Sequence, residues 1–239
     1  TTDRPPSETH DSYEAWRDSL VSEDDINIIR VYEIDFANPP RVDIRPDTIR
    51  RLLASYERTG LLPTTSAGKR ALFQEENELE VVRLIFEARA RELYPEIEVQ
   101  TEPDALYRFR RHVHDAWLLP NCTTSGCHSG DDGGRFRLIR RGYRDERVRY
   151  SNLLILERSE VEPGRPLVNY EEPERSLLIQ YALPRSVATW PHPEVEGWRP
   201  VFTRGRQQML IRTIQWIESM MFPRSPYPVE FTPPAMRDE

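Results

Sequence analysis

The chain has 239 residues, of which 38% are hydrophobic, so its length suits one sizeable domain or two small ones. Its 33 lysine and arginine residues are outnumbered by 40 aspartate and glutamate residues, and the formal charge of −7 argues against nucleic acid as a partner, because phosphate binding needs a basic surface. No stretch approaches the roughly 20 apolar residues of a membrane span, so we expect no transmembrane segment in this chain.

The first hundred residues carry strand and helix signals together. The run INIIRVYEIDF at 26–36 is rich in β-branched and aromatic residues and predicts a strand, and RVDI at 41–44 predicts a short extended piece. Two helices are predicted from apolar periodicity and terminal residues, over 45–60 and 77–94. We therefore expect an N-terminal α/β extension over residues 1–100, and its role stays open.

Helices dominate the predicted elements over residues 101–239. An amphipathic helix is predicted over 102–120, ending at Pro120, and a short strand over 135–141. Further helices are predicted over 147–159, 174–183 and 204–222, followed by an extended tail. The prolines between these helices indicate long irregular loops.

The segment NCTTSGCHSG, residues 121–130, contains both cysteines of the chain. Cys122 and Cys127 are separated by four residues, and His128 directly follows the second, so the spacing is two residues longer than in the C-x-x-C-H attachment site of a c-type haem. That attachment requires two thiols on one short loop and an adjacent histidine that reaches the iron. The four intervening residues are small or glycine and can bulge outward, so the motif favours one covalently bound haem c with His128 as the proximal ligand.

Two other interpretations of this segment stay open. A disulfide between Cys122 and Cys127 would close a small loop in an oxidising compartment, but it leaves His128 without a role. A zinc ion would find three ligands here, although structural zinc sites usually space their cysteines more tightly and pair them with a second cluster.

Three segments together resemble the cytochrome c-like domains of planctomycete bacteria: the helix before CTTSGCH, the segment SLLIQYALP, and the stretch HPEVEGWRPVF…RQQMLIRTIQWIESM. The resemblance covers residues 100–222, about half of the chain. It implies a covalently bound haem, electron transfer and export to the periplasm, with the signal peptide removed. Ordinary c-type cytochromes present a methionine ligand before the terminal helix, whereas this chain has WPHP there.

His192 lies in that WPHP segment and is the expected distal iron ligand. Its two proline neighbours stiffen the loop and would hold the imidazole in place. The alternatives are the histidines of the helix before the motif, the methionines of the terminal helix, or an open iron. These residues are His112, His114, Met209, Met220 and Met221.

The expected fold class is mainly α, a cytochrome c-like helical haem domain with the N-terminal α/β extension and long irregular loops. Trp117, Trp190 and Trp198 are expected to pack against the macrocycle. The expected function is a monohaem c-type cytochrome that carries single electrons between periplasmic redox partners and is not an enzyme. An open-site haem enzyme or sensor, and a non-haem interaction module with a disulfide or metal staple, are the alternatives.

Overall fold

The structure, a computed structural model, describes residues 16–124, 127–129, 136–159 and 161–233. It is mainly helical, with 51% helix and 4% strand, which confirms the mainly-α class. Within the described residues, no helix combines the length and apolarity needed to cross a membrane.

The chain divides into two compact units. One, here called the motif unit, contains Thr1–Glu23, Tyr107–Phe222 and Val229–Glu239, and the other, here called the insert unit, contains Asp24–Leu106 and Pro223–Pro228. The chain therefore passes through the insert unit twice. The sequence analysis predicts one boundary, at residue 100. A sequence pattern does not reveal that a C-terminal segment rejoins an earlier unit.

The insert unit combines short helices with one small sheet. Strand β1 (Val42–Ile44) pairs antiparallel with β2 (Ile97–Val99), so that Val42 lies opposite Val99. The helices are α1 (Glu23–Tyr32), α2 (Pro46–Tyr56), α3 (Ser66–Ala71) and α4 (Glu78–Glu87). The 3-10 turns of this region are Glu57–Thr59, Glu75–Asn77 and Arg91–Glu96. Its core is aliphatic and includes Val31, Ile34, Leu52, Ile85 and Ile97.

The strand predicted over 26–36 is wrong, because α1 occupies most of that range. Three acidic residues at 23–25 favour the positive end of a helix dipole. Ile26 and Ile29, three positions apart, are both buried. Burial against the core outweighs the preference of β-branched residues for strands, which depends strongly on context.

A continuous helical stretch leads to the first cysteine in the motif unit. It consists of α5 (Asp104–Arg108), a π-helical segment (Phe109–Leu118) and α6 (Leu119–Cys122). In the π-helical segment the Leu119 N–H donates to the His114 carbonyl, five residues earlier. The helix was predicted to end at Pro120 but continues two residues further, because Pro120 lies in the first turn of α6, where a missing N–H is tolerated.

Within the described residues, the motif unit also contains the helices α7 (Glu146–Arg158), α8 (Leu177–Gln180) and α9 (Gln207–Ser219). Two 3-10 turns, Pro173–Arg175 and Arg204–Arg206, precede α8 and α9. Helix α9 packs on the π-helical segment. There the Trp117 indole N–H donates to Thr213 Oγ1 at 3.0 Å, and the Phe109 and Trp216 rings lie 5.0 Å apart.

The strand predicted over 135–141 is also wrong for residues 136–140, which have no regular structure, while residue 135 lies outside the described part. We refer to residues 136–140 as the 136–140 segment. Its backbone bonds to single partners instead of a neighbouring strand: the Leu138 N–H donates to the His128 carbonyl, and the Ile139 N–H donates to Asn152 Oδ1.

Candidate functional site

The loop of the cysteine motif is closed by its own backbone. Helix α6 ends at Cys122, and the His128 N–H donates to the Cys122 carbonyl at 2.9 Å. Inside this ring, the Cys127 N–H donates to the Thr124 carbonyl at 2.9 Å. Cys122 and His128 are therefore neighbours although five residues separate them. The outward bulge is predicted for residues 123–126, of which 125 and 126 lie outside the described part of the chain.

Thr123 connects this loop to the rest of the motif unit. Its hydroxyl donates to the Leu119 carbonyl at 2.7 Å, which extends the hydrogen bonding of α6 by one residue. Its own carbonyl accepts from Arg140 Nη1 at 2.6 Å and from Ser129 Oγ at 3.1 Å. Hydrogen bonds therefore connect Thr123, at the start of the loop, both to helix α6 and to residues that follow the motif.

A cavity of about 450 Å³ adjoins the loop and is lined by both cysteines and by His128 and His192. This volume lies in the range of about 300–1,000 Å³ that is usual for cofactor and ligand pockets. Its walls are largely apolar and aromatic and include Trp117, Phe136, Leu167, Leu178, Tyr181, Ala182, Trp198 and Val201. Arg199 brings a guanidinium to the same lining.

His128 is held in the tautomer that a metal ligand needs. Its Nδ1 lies 3.0 Å from the Phe136 carbonyl oxygen, which can only accept, so Nδ1 carries a proton and the neutral ring would have its lone pair on Nε2. The Phe136 ring packs on the imidazole with centroids 4.9 Å apart. A carbonyl behind a histidine ligand fixes the ring and raises its basicity.

The imidazole of His192, like that of His128, is held by a backbone carbonyl at Nδ1 and by an aromatic ring. Its Nδ1 donates to the Pro193 carbonyl at 2.8 Å, and its ring stacks on Trp198 with centroids 5.3 Å apart and planes inclined by 16°. Burial lowers the pKa of His192 below its ordinary value, and the nearby positive charge of Arg185 acts in the same direction. The imidazole is therefore neutral at pH 7, which is the form that binds a metal.

The two imidazoles lie at a separation that suits one metal ion between them. The ring centroids of His128 and His192 are 6.1 Å apart, with planes inclined by 67°. A metal–imidazole bond of about 2.0–2.1 Å, plus about 1.1 Å from nitrogen to centroid on each side, sums to about 6.3 Å, so both rings would be within reach of one ion. Both thiols, both imidazoles and the apolar walls thus bring to one cavity the side chains that a covalently bound haem needs.

Both cysteines of the motif are free thiols. Neither Cys122 nor Cys127 forms a disulfide, and burial raises the pKa of the Cys122 thiol to about 12, which disfavours the thiolate needed for disulfide exchange. The Thr124 hydroxyl donates to Cys127 Sγ at 3.1 Å. Among the described residues, no three or more histidine, cysteine or acidic side chains are grouped so that they could hold a metal ion.

The other candidate ligands lie away from the cavity. His112 packs edge-on against Tyr107, and His114 is buried between Asp115 and Asn152. The described lining includes none of the three candidate methionines. Of the three tryptophans expected to pack against a macrocycle, Trp117 and Trp198 line the cavity, whereas Trp190 packs beneath the guanidinium groups of Arg165 and Arg175.

Sequence reasoning missed Tyr181, although it lies within the segment SLLIQYALP that carries part of the resemblance. The Tyr181 ring meets His192 edge-on with centroids 5.4 Å apart, and its hydroxyl donates to Glu162. Glu162 also pairs with Arg165. Burial and this bond raise the pKa of Tyr181, so it stays a neutral donor beside the cavity.

Comparison of the chain with models of protein families, with curated proteins and with solved structures gives no match. The geometry of the cavity and its side chains therefore carries the functional argument. The resemblance to cytochrome c-like domains stays a prediction.

Proposed function

We propose that this chain is a monohaem c-type cytochrome that passes single electrons between redox protein partners. Cys122 and Cys127 would attach haem c, and His128 and His192 would be its axial ligands. One observation carries the proposal: two imidazoles lie 6.1 Å apart beside a cavity that both thiols also line.

The side chains around the cavity have separate tasks in this proposal. Bound haem supplies a one-electron iron couple. The Phe136 carbonyl orients His128, and Trp198 and Tyr181 hold the ring of His192. The apolar walls exclude water, and Arg199 offers a guanidinium to the carboxylates of the cofactor.

Ligation by two histidines favours electron transfer over catalysis, because it leaves no axial position for a substrate. It also gives a lower potential than a histidine–methionine pair, since thioether ligation raises the potential. An open-site enzyme or sensor would need His192 to lie elsewhere.

The partner and the compartment follow from charge and chemistry. A net charge of −7 favours a redox partner with a basic docking patch. The resemblance to cytochrome c-like domains implies export to the periplasm, where a c-type haem would be attached.

The visible spectrum of the reduced protein, recorded with and without carbon monoxide, tests this function. The protein should be co-expressed with a haem-attachment machinery. We expect a six-coordinate, low-spin spectrum that carbon monoxide does not change. Rapid carbon monoxide binding would favour the open-site enzyme or sensor, and a colourless protein would favour the non-haem module.

A further inference from the structure

The buried side chain of Asn152, on helix α7, binds the backbone of the 136–140 segment at two points. The Ile139 N–H donates to Asn152 Oδ1 at 2.8 Å, and Asn152 Nδ2 donates to the Ile139 carbonyl at 2.9 Å. Asn152 is fully buried. These two bonds fix the orientation of the amide, because a flipped amide would place oxygen against oxygen.

The fixed amide in turn decides the protonation of His114. The second hydrogen of Asn152 Nδ2 points at His114 Nε2, 3.1 Å away, so Nε2 must accept and cannot carry a proton. The proton is on Nδ1, which donates to Asp115 Oδ1 at 2.6 Å. His114 is fully buried and neutral in this arrangement.

The 136–140 segment holds His128 at two points. The Phe136 carbonyl accepts the Nδ1–H of the imidazole at 3.0 Å. The Leu138 N–H donates to the His128 carbonyl at 2.6 Å. A chain of hydrogen bonds thus runs from His114 through Asn152 and the backbone of this segment to His128.

We propose that Asn152 is a positioning residue for the axial ligand His128, acting through the 136–140 segment. We further propose that protonation of His114 weakens the hydrogen bonds by which Asn152 holds this segment. This inference rests on the proposed function, because it concerns how the iron ligand is oriented.

Protonation of His114 would place an N–H on Nε2 against the N–H of the Asn152 amide and so replace a hydrogen bond with a repulsion. The charged groups that bear on His114 are Asp115 on its own helix and Arg149 on α7. Burial lowers the pKa of His114, the Asp115 carboxylate opposes this shift, and Arg149 reinforces it. We therefore expect His114 to become protonated only at pH values below the ordinary histidine pKa of about 6.5.

The hydrogen bond behind His128 bears on the redox potential. An acceptor at Nδ1 makes the ligand more basic and stabilises ferric iron, which keeps the potential low. Loss of the hold on the 136–140 segment should weaken this bond and raise the potential. Changes to such outer partners of a ligand typically alter metal affinity by about 10–100-fold.

The test is the midpoint potential of the holoprotein measured from pH 4.5 to 8. Asn152→Leu removes all three bonds with a side chain of the same branching, and Asn152→Asp keeps the acceptor for the Ile139 N–H. Ser151→Ala is the matched control, since it removes a buried hydrogen bond of the neighbouring α7 residue, to the Val21 N–H, without touching the 136–140 segment.

At pH 7.5 we expect Asn152→Leu to shift the ferric-to-ferrous affinity ratio about tenfold, which corresponds to a rise of about 59 mV for one electron. Asn152→Asp should give a smaller rise, and Ser151→Ala none. The wild-type potential should be constant above about pH 6.5 and rise below it, and His114→Gln should abolish that rise.

Unchanged potentials in the Asn152 variants, or an equal shift in Ser151→Ala, would overturn the inference. The proposed function as a haem protein would not be affected by that result. If Asn152→Leu does not fold, Asn152→Asp and His114→Gln decide the question by the same measurements. Failure of the proposed function looks different, because the wild type itself would then carry no haem.

Discussion

At the residue scale, His192 would decide between a closed and an open iron in the proposed cytochrome. It reaches the cavity from a loop whose two prolines flank it, and Trp198 and Tyr181 hold its ring from two sides. Its neutral form at pH 7 follows mainly from burial. Packing against Trp198 and Tyr181 thus fixes the orientation of this imidazole.

We expect His192→Ala to give a high-spin haem that binds carbon monoxide, and His192→Met to keep a six-coordinate haem with a raised potential, because a thioether favours the ferrous state. Absorption spectra and potentiometry check both. His112→Ala is the control, since that histidine is half-buried and lies away from the cavity lining. A His192→Ala protein that stays low-spin with the wild-type potential would place the distal ligand elsewhere.

At the element scale, helices with clear periodicity were predictable and isolated segments were not. The helix predicted over 147–159 is confirmed as α7, whose N-cap Asp145 accepts the Arg147 N–H, and the predicted helix over 204–222 contains α9. These helices follow from local signals in the sequence.

The two wrong strand predictions concern segments whose structure depends on contacts with residues that are distant in sequence. The range 26–36 reads as a strand by composition, but burial makes most of it helix α1. The 136–140 segment has apolar residues at 136 and 138 that resemble a strand, yet its partners are His128 and the side chain of Asn152. The four residues proposed to hold a haem, which line one cavity, could be selected from the sequence as candidates, whereas Phe136, Tyr181 and Asn152 carry no motif.

The contact between α9 and the π-helical segment gives a stability prediction. Thr213→Val is nearly isosteric and removes the acceptor of the Trp117 indole N–H, which is fully buried. We expect a loss of about 1–3 kcal/mol in the free energy of unfolding, because a buried donor is left unsatisfied. Denaturant titration measures it, with the exposed Thr203→Val as control. Equal stabilities of the two variants would show that this bond contributes nothing.

His114 should make the stability of the motif unit depend on pH. Its folded-state pKa is lowered by burial, so the unfolded chain binds the proton more readily. Stability from this group is therefore present above the unfolded pKa of about 6.5 and is lost as the pH falls below it.

Denaturant midpoints at pH 7.5 and pH 5 measure this loss, and we expect His114→Gln to reduce it. Parallel pH profiles of the wild type and of His114→Gln would contradict the assignment. The pKa of His192 is also lowered, so His192 adds to the same loss of stability at low pH. His192→Gln therefore measures the share of the pH dependence that does not come from His114.

At the scale of the whole molecule, the net charge of −7 bears on partner choice. Attraction between an acidic protein and a basic partner accelerates their encounter and is screened by salt, with a Debye length of about 10 Å at 0.1 M. We expect the second-order rate of electron transfer to a small basic redox protein to fall as ionic strength rises from 10 to 500 mM. Stopped-flow measurement with an acidic redox protein is the control, and an identical salt dependence for both would contradict charge-guided docking.

The closed loop from Cys122 to His128 allows a motif with four intervening residues to present both thiols to one cavity. The central claim is that both thiols hold one haem there. Protein produced with a haem-attachment machinery should be extracted with acid–acetone and then examined by mass spectrometry and as its pyridine haemochrome. We expect the chain to keep one haem, with the band of two thioether links in the wild type and a shifted band in Cys122→Ser and in Cys127→Ser. Haem that extracts completely from the wild type would contradict the claim.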